Sequence, residues 1–295
     1  MRTLKNHDSP AAIDRFLREE GLAPSRRFGQ NFLVNPKVRR RIVELLDISP
    51  DHAVWEVGPG LGAMSETLAG ECAKLTLFEI DRRFASYLRG VFSSSGQAGS
   101  EVEVVEGDVL KTWELEEKRS GRPDRILGNL PYNAASQIIA SFLERDAGAG
   151  RMVFTVQKEV GQRMMANPGG EEYSSFSVLC GLYADVYDGG DVAAGSFHPV
   201  PRVVSKIVAV EPHERYGREV RAIAVLLARD AFGARRKTLR NALKSGRTAG
   251  RFGFPAVMDA LNAAGIDPGL RGEKLSIEDY AAVAGHLDNH PGNEV

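Results

Sequence analysis

One run of residues decides the fold of this chain: Val54-Trp55-Glu56-Val57-Gly58-Pro59-Gly60-Leu61-Gly62-Ala63. The short apolar part, 54–57, is typical of a buried strand, and the glycines that follow predict a tight turn and then a helix start. Glycines let the backbone approach a ligand closely, and a helix N-terminus offers free N–H groups. Gly58, Gly60 and Ala63 also satisfy the dinucleotide fingerprint, so this run by itself leaves open which nucleotide-type cofactor is bound.

Strands and helices alternate on both sides of this run. Strands are predicted over 54–57, 75–78, 102–105, 125–127 and 152–156, and helices over 36–46, 63–70, 82–92, 134–144 and 157–166. This spacing predicts a parallel sheet covered by helices on both faces, as in Rossmann-like α/β folds. Beyond residue 212 the pattern changes to helices alone, over 220–232, 236–244, 255–264 and 277–287. We therefore expect a loosely held N-terminal arm (1–25), an α/β domain (26–212) and a small all-helical domain (213–295).

The composition is that of an ordinary soluble globular protein. The 295 residues are 43% hydrophobic and 26% charged, which fits one large and one small domain. Two cysteines are too few for a disulfide scaffold or a Cys-rich zinc site, and no His/Cys cluster suggests a metal. No apolar run approaches a membrane span, and the polar N-terminus lacks a signal peptide's apolar region. We expect a cytoplasmic protein that binds neither metal nor membrane.

Polar residues follow the ends of successive predicted strands. Glu79 lies 21 positions after Gly58, where an acidic side chain can accept both hydroxyls of a ribose. Ribose occurs in NAD and in S-adenosylmethionine, so Glu79 does not separate these cofactors. Asp108 follows the third strand, where the adenine amino group of S-adenosylmethionine is usually held. Together with Asn129 after the fourth strand, these residues favour S-adenosylmethionine.

The stretch Asn129-Leu130-Pro131-Tyr132 suits methyl transfer to an amino group on a flat ring. The Asn129 amide oxygen and the backbone carbonyl of Leu130 or Pro131 can accept hydrogen bonds from an exocyclic NH2 group. Tyr132 offers a stacking face for a base taken out of its helix. Phe197 is a candidate for a second stacking face, and the alternative is a packed core aromatic.

Basic residues are concentrated in two stretches although the net charge is only −1. No acidic residue occurs between Glu20 and Glu44, or between Asp230 and Asp259, and both intervals are rich in Arg and Lys. Such stretches predict a local polyanion-binding face. In the second stretch, Arg236, Arg240 and Lys244 have the spacing of one helix face. The RNA-binding candidates are Arg235, Arg236, Lys237, Arg240 and Lys244.

These motifs, taken in order, resemble the KsgA/RsmA ribosomal RNA adenine dimethyltransferases over about residues 26–287. The likeness begins with Arg27-Phe28-Gly29-Gln30-Asn31-Phe32-Leu33 and continues through the glycine turn and the 129–133 stretch. Later blocks are Gln157–Val160, Tyr173–Val178, Phe197–Ser205, Arg235–Asn241 and Ile266–Ser276.

The resemblance implies a class I S-adenosylmethionine-dependent methyltransferase domain with a helical C-terminal domain. It also implies an activity, dimethylation of N6 of two adjacent adenosines near the 3′ end of 16S ribosomal RNA, during biogenesis of the 30S subunit. The partner would be 16S RNA in the 30S precursor, and the protein would be a monomer. By matching position, the cofactor site would contain Asn31, Leu33, Gly58, Glu79, Asp108 and Asn129, and Gly60 of the glycine turn is a further cofactor-binding candidate.

Three other functions compete with this one. A dimethyltransferase of large-subunit (23S) ribosomal RNA would use the same chemistry, although the blocks at 235–241 and 267–276 favour the small subunit. An RNA-binding assembly factor with little catalysis is opposed by intact Asn129 and Glu79. A nicotinamide-dependent dehydrogenase is allowed by the glycine turn but is not supported by residues 129–133.

Overall fold

A computed structural model describes residues 3–23, 29–94 and 100–289. The strands, in chain order, are β1 (Phe32–Leu33), β2 (Ala53–Val57), β3 (Lys74–Glu79), β4 (Glu101–Glu106), β5 (Arg125–Asn129), β6 (Arg151–Gln157), β7 (Ala184–Val192), β8 (Phe197–His198) and β9 (Ser205–Pro212). The α-helices are α1 (Pro10–Glu19), α2 (Pro36–Leu46), α3 (Ser65–Leu68), α4 (Arg82–Ser94), α5 (Val109–Ser120), α6 (Ala135–Glu144), α7 (Lys158–Met164), α8 (Ser175–Tyr183), α9 (Arg218–Gly233), α10 (Leu239–Leu243), α11 (Arg247–Phe252), α12 (Phe254–Ala263) and α13 (Ile277–Asp288).

The main sheet has the strand order β4-β3-β2-β5-β6-β9-β7, and β1 pairs with β8 in a separate two-stranded sheet. The five strands from β4 to β6 in this order run parallel, as predicted. β9 runs antiparallel to β6, so the sheet as a whole is mixed. Antiparallel strands at one side of a parallel sheet are common in doubly wound folds. The sequence did not predict β7 or β9, although residues 205–210 are buried without interruption, as expected of a core strand.

The chain divides into two compact units. One comprises Met1–Gly161 and Tyr187–Glu211, and the other comprises Gln162–Val186 and Pro212–Val295. α8 belongs to the second unit, where it packs against α9 and α13. Six of its nine residues are buried, so it needs partners around most of its circumference. Its position before β7 in the chain makes the helical unit discontinuous in sequence.

The N-terminal residues differ from the loosely held arm that was expected. α1 buries Ile13, Phe16 and Leu17 in the core of the first unit, where Leu4 is also buried. The Phe16 and Tyr87 rings meet edge to face with centroids 5.2 Å apart. The segment is held because its apolar residues recur at helical spacing and form one buried stripe.

The helix that precedes the glycine run begins as the sequence predicts. Asn35 caps α2, and its side-chain oxygen accepts hydrogen bonds from the backbone N–H groups of Lys37 and Val38. Pro36 takes the first helical position, where the missing N–H costs no hydrogen bond.

No helix in the described ranges combines the length and the apolar character that a membrane crossing requires.

Candidate active site

Four strand ends of the parallel sheet meet along one edge of the first unit. Gly58 follows β2, Glu79 ends β3, Asn129 ends β5, and Asp108 lies two residues beyond β4. Since the strand order is β4-β3-β2-β5, these residues succeed one another along the edge as Asp108, Glu79, Gly58 and Asn129. The sheet therefore brings together residues that are widely separated in the sequence. Ligands of open α/β sheets bind at this carboxyl edge.

The glycine turn lies directly beside the catalytic candidate. Gly58 and Gly60 have φ angles of 73° and 58°, which favour glycine. A Cβ atom on Gly58 would lie 3.4 Å from the backbone oxygen of Asn129, and one on Gly60 would lie 3.2 Å from the Phe32 ring. The two glycines thus keep β1, the turn and the end of β5 close together.

Glu79 is a buried acceptor at the end of β3. Its side chain is 2% exposed, and its two carboxylate oxygens accept hydrogen bonds from Gly60 N at 3.1 Å and Asp81 N at 2.9 Å. Burial, which disfavours the charged form, raises the pKa of Glu79 to about 7. Each oxygen retains acceptor capacity, so the carboxylate can bind a pair of ligand hydroxyls.

Glu56 is a second buried carboxyl, on β2 below the glycine turn. It is 1% exposed, and it accepts a hydrogen bond from Ser65 Oγ at 2.5 Å. Burial raises the pKa of Glu56 to about 7 as well. Glu56 stands in the glycine motif of the sequence, where no pattern indicated a role for it.

Asp108 also has a structural role that the sequence analysis did not predict. It is the N-cap of α5, and its Oδ1 accepts a hydrogen bond from Leu110 N at 3.1 Å. Its residue type therefore follows partly from helix capping, since Asp is among the preferred N-cap residues. No other hydrogen bond from the described residues reaches this carboxylate.

The Asn129 amide is held in one orientation. Its Nδ2 donates to the backbone oxygen of Asn31 at 2.7 Å, and the Nδ2 of Asn31 donates to the Gly29 oxygen at 3.0 Å. Since the Asn129 nitrogen is engaged, its Oδ1 is left as the acceptor for a ligand N–H. Asn31, expected to line the cofactor site, thus also orients Asn129. Arg27 and Phe28, which begin the quoted block that contains Asn31, lie outside the described residues.

The hydrogen bonds of the backbone after Asn129 distinguish the Leu130 carbonyl from the Pro131 carbonyl, the two candidates for the second acceptor. The Pro131 oxygen accepts hydrogen bonds from Ala134 N and Ala135 N, both at 3.0 Å, because α6 starts there. The Leu130 N–H is engaged with the Thr155 oxygen at 3.1 Å. No described residue donates to the Leu130 oxygen. Leu130 is therefore the better candidate for the second acceptor.

The two predicted stacking rings differ in accessibility. Tyr132 is half-buried, and its hydroxyl lies 2.8 Å from Ser205 Oγ, which fixes the tilt of the ring. Phe197 is only 1% exposed and lies in the hydrophobic core, where β8 places it opposite Leu33 of β1. Its burial favours the alternative of a packed core aromatic. A stacking role would require β8 to move.

Two adjoining cavities open at this edge of the sheet and share Asn31, Phe32, Gly58, Gly60 and Asn129. One also contains Glu79 and Pro131, and the other contains Leu33; Asp108 lines neither. The described part of the chain has no group of three or more His, Cys, Asp or Glu that could hold a metal ion. Sequence reasoning missed several lining residues: His7, Ile13, Gln30 and Ile80.

Of these missed residues, Gln30 stands within the quoted block 27–33, and Ile80 carried a signal of its own. It is an apolar residue directly after Glu79, and its side chain is 43% exposed. An apolar residue beside a ribose-binding acid suits contact with a flat base. His7 and Ile13 had no such signal because nothing in the sequence indicated that the N-terminal residues reach the site.

The basic residues of the helical unit were predicted to share one helix face, and this prediction is wrong. α10 spans only Leu239–Leu243, so Arg236 and Lys237 precede it and Lys244 is its C-terminal cap. Arg235 donates to the Glu171 oxygen at 2.8 Å and lies 3.3 Å from a carboxylate oxygen of Glu273. The exposed members of the group with no ion pair to a described residue are Arg236, Lys237, Arg240 and Lys244.

Comparison with models of known protein families identifies the family of this chain. The family model described as ribosomal RNA adenine dimethylase matches residues 23–288, which is most of the chain. The chain belongs to the ribosomal RNA adenine dimethylase family. The resemblance stated from the motifs is thereby confirmed.

Curated members of the ribosomal RNA adenine dimethylase family match nearly end to end. A protein named Ribosomal RNA small subunit methyltransferase A from Treponema denticola is 36% identical, covering 96% of this chain and 97% of its own length. A protein of the same name from Geobacter metallireducens is 39% identical, covering 91% of this chain and 97% of its own length.

Solved structures agree on the fold. A dimethyladenosine transferase from Plasmodium falciparum superposes with a TM-score of 0.73 at 24% identity, covering 87% of this chain and 97% of that one. The 23S rRNA methyltransferase ErmE superposes with a TM-score of 0.61 at 24% identity, covering 88% of this chain and 100% of that one. The fold is that of class I S-adenosylmethionine-dependent methyltransferases, as predicted.

Proposed function

We propose that this protein dimethylates N6 of two adjacent adenosines near the 3′ end of 16S ribosomal RNA, with S-adenosylmethionine as the methyl donor. One observation carries the proposal: the Asn129 amide nitrogen is held by the Asn31 carbonyl, which leaves the Asn129 oxygen as an acceptor, and no described residue donates to the carbonyl of the next residue, Leu130. Two fixed acceptors suit an exocyclic NH2 group. The names of the curated relatives support the small subunit as the source of the RNA.

The chain's own groups prepare the adenine nitrogen for attack. The N6 lone pair is delocalised into the ring, so N6 is a poor nucleophile. Hydrogen bonds from its two N–H groups to Asn129 Oδ1 and the Leu130 oxygen favour a pyramidal nitrogen with a localised lone pair. Tyr132, held by Ser205, stacks on the extruded base. Positioning and fixed dipoles supply most of the rate, and the proton leaves to solvent afterwards.

The site fits S-adenosylmethionine on two structural grounds. Gly58 and Gly60 have positive φ angles that residues with a side chain rarely adopt, and a Cβ atom on Gly60 would lie only 3.2 Å from the Phe32 ring. Glu79 offers a buried carboxylate of the kind that binds a ribose. When bound, S-adenosylmethionine supplies an electrophilic methyl group. We assign its binding to Asn31, Leu33, Gly58, Gly60, Glu79, Asp108 and Asn129.

The helical unit would bind the RNA backbone. Arg236, Lys237, Arg240 and Lys244 are exposed cations, and phosphate contacts position nucleic acids without reading their sequence. Arg235 is engaged with Glu171 and Glu273, and we assign it to holding this region together as well as to RNA. Because the proposed substrate is the 30S precursor, we place the protein in the cytoplasm; the monomeric state stays a prediction.

The test is methylation of 30S particles that lack this modification. Purified protein and labelled S-adenosylmethionine are incubated with the particles, and dimethyladenosine is mapped in the 16S RNA. We expect label at two adjacent adenosines near the 3′ end. Asn129→Ala should lower the rate about 100-fold or more, as removal of one fixed stabilising group does in other enzymes. Asn262→Ala, an exposed asparagine of α12, is the matched control and should react normally.

The alternatives give different results. Label on 23S RNA but not on 30S particles would contradict the small-subunit substrate and retain the chemistry. Absence of label on both, with intact binding to 30S particles, would indicate an RNA-binding assembly factor.

A further inference from the structure

The N-terminal segment, residues 3–23, closes one end of the proposed cofactor site. The cavity that contains Gly58, Leu33 and Asn129 is also lined by His7 and Ile13 from this segment. From the sequence alone, these residues were expected to form a loosely held arm. In the structure they are part of its wall.

Several contacts within the first unit fix this segment in place. Leu4 N donates to the Tyr87 hydroxyl at 3.2 Å, and His198 Nε2 lies 2.7 Å from Asp14 Oδ1. Arg39 forms an ion pair with Asp8, the residue next to His7. The position of His7 is therefore set by contacts on both sides of it in the chain.

His7 is the nitrogen donor in this cavity wall that is not committed to the protein backbone. The other side-chain nitrogen donors among the lining residues are Asn31 and Asn129, and each donates to a backbone oxygen. His7 is 9% exposed, and its Nε2 lies 3.3 Å from Glu66 Oε1 without forming a hydrogen bond to it. No described residue is a hydrogen-bond partner of this buried nitrogen. A buried polar atom without a partner is costly, so a ligand that accepts a hydrogen bond from it would be favoured.

The order of strand ends determines which part of the cofactor reaches His7. Asp108 and Glu79 suit the adenine and the ribose, and Asn129 lies where the methyl group is transferred. The amino-acid end of S-adenosylmethionine must then extend into the cavity that contains His7 and lacks Glu79. That end carries an ammonium and a carboxylate group. The same wall contains the buried Glu56, an acceptor for the ammonium, but needs a donor for the carboxylate.

We propose that His7 binds the carboxylate of the cofactor's amino-acid end, so that the N-terminal segment is a functional wall of the cofactor site. The proposal deepens the proposed function and rests on its cofactor. A hydrogen bond between an imidazole and a carboxylate is charge-assisted and stronger than one between neutral groups.

The test measures binding by calorimetry and needs no RNA. Two ligands are compared: S-adenosylhomocysteine, which has the amino-acid end, and 5′-methylthioadenosine, which lacks it. His7→Ala should lower the affinity for S-adenosylhomocysteine about tenfold or more, as expected for loss of one hydrogen bond to a charged group. It should change the affinity for 5′-methylthioadenosine less than about twofold, because that ligand has no carboxylate. His7→Gln keeps a donor and should recover much of the affinity.

Lys5→Gln is the matched control, because it changes an exposed residue of the same segment and leaves the contacts that hold His7 intact. It should bind both ligands as the unchanged protein does. An equal loss of affinity in Lys5→Gln, or an equal loss of affinity for both ligands in His7→Ala, would assign the effect to packing of the segment and overturn the proposal. Unchanged affinity of His7→Ala would overturn it too. If the unchanged protein binds neither ligand, the proposed cofactor itself is wrong.

Discussion

Gly128, the residue before Asn129, shows how tightly the catalytic edge is packed. A Cβ atom there would lie 2.8 Å from both Leu130 Cδ2 and the Val57 backbone oxygen. Leu130 carries the proposed second acceptor, so any shift of Leu130 misplaces it. We expect Gly128→Ala to lower the free energy of unfolding by about 1–3 kcal/mol, as overpacking does, and to lower methylation further than stability explains.

Thermal unfolding and initial rates at a temperature where the variant is fully folded measure the two effects separately. Gly285→Ala is the control, because a Cβ atom on this α13 glycine meets nothing within 4 Å. It should be neutral or stabilising by up to about 1 kcal/mol, since alanine has the higher helix propensity. A Gly128→Ala protein with unchanged stability and rate would refute the packing argument.

The buried carboxyls give the protein a defined pH dependence of stability. Burial raises the pKa of Glu56 from 4.5 to about 7, so between these values the folded state keeps a proton that the unfolded state loses. The contribution is fully present below about pH 4.5 and is lost as the pH rises through about 7. Glu56→Gln, which stays neutral, should flatten the decline in melting temperature over this interval.

The measurement is a series of melting temperatures from pH 4.5 to 8 without ligand. Glu214→Gln, a change at an exposed loop position, serves as the control and should keep the slope of the unchanged protein. A Glu56→Gln protein with that same slope would show that the folded state does not hold this proton.

At the scale of elements, α1 tests whether the N-terminal segment belongs to the fold. Phe16 is 6% exposed and packs on Tyr87. Phe16→Ala should destabilise the protein by about 3 kcal/mol or more, because it leaves a cavity in the core. Arg15→Ala, an exposed neighbour on the same helix, should change stability by less than about 0.5 kcal/mol.

Denaturant unfolding followed by far-ultraviolet circular dichroism measures both values. If Phe16→Ala unfolds at the same denaturant concentration as the unchanged protein, α1 does not contribute to the core. A loosely held arm, as the sequence alone predicted, would give that result.

α10 shows why the sequence did not predict where each helix begins and ends. Residues 236–244 have helical spacing, but the helix begins only at Leu239. Leu239 N donates to the Leu270 oxygen at 2.7 Å, and Arg240 N donates to the Pro268 oxygen at 3.0 Å. These hydrogen bonds to a distant part of the chain engage the N–H groups that an earlier helix start would use. No local pattern reveals such partners.

At the scale of the whole molecule, the net charge of −1 hides a cationic surface on the helical unit. The double variant Arg240→Gln/Lys244→Gln should weaken RNA binding. It should also reduce the slope of log affinity against log salt by about 0.7–0.9 for each phosphate that the variant no longer binds. Affinity for S-adenosylhomocysteine should not change, because the proposed cofactor residues belong to the other unit.

RNA binding is measured at several salt concentrations with a 16S fragment containing the 3′ end. The matched control is Lys118→Gln/Arg218→Gln, which removes two exposed positive charges outside the group. An equal loss of affinity in this control would mean that total charge, and not this surface, binds RNA.

The sequence by itself determined the parallel part of the sheet, the glycine turn, the strand-end residues and the family. Local periodicity and short motifs predict these features, and both depend only on residues that are close together in the chain. Tertiary structure decided the rest: the burial of Phe197, the hydrogen bonds that engage the Pro131 carbonyl and the place of His7 in the wall. Each of these depends on contacts between segments far apart in the chain, such as β8 on β1 and the N-terminal segment on the glycine turn.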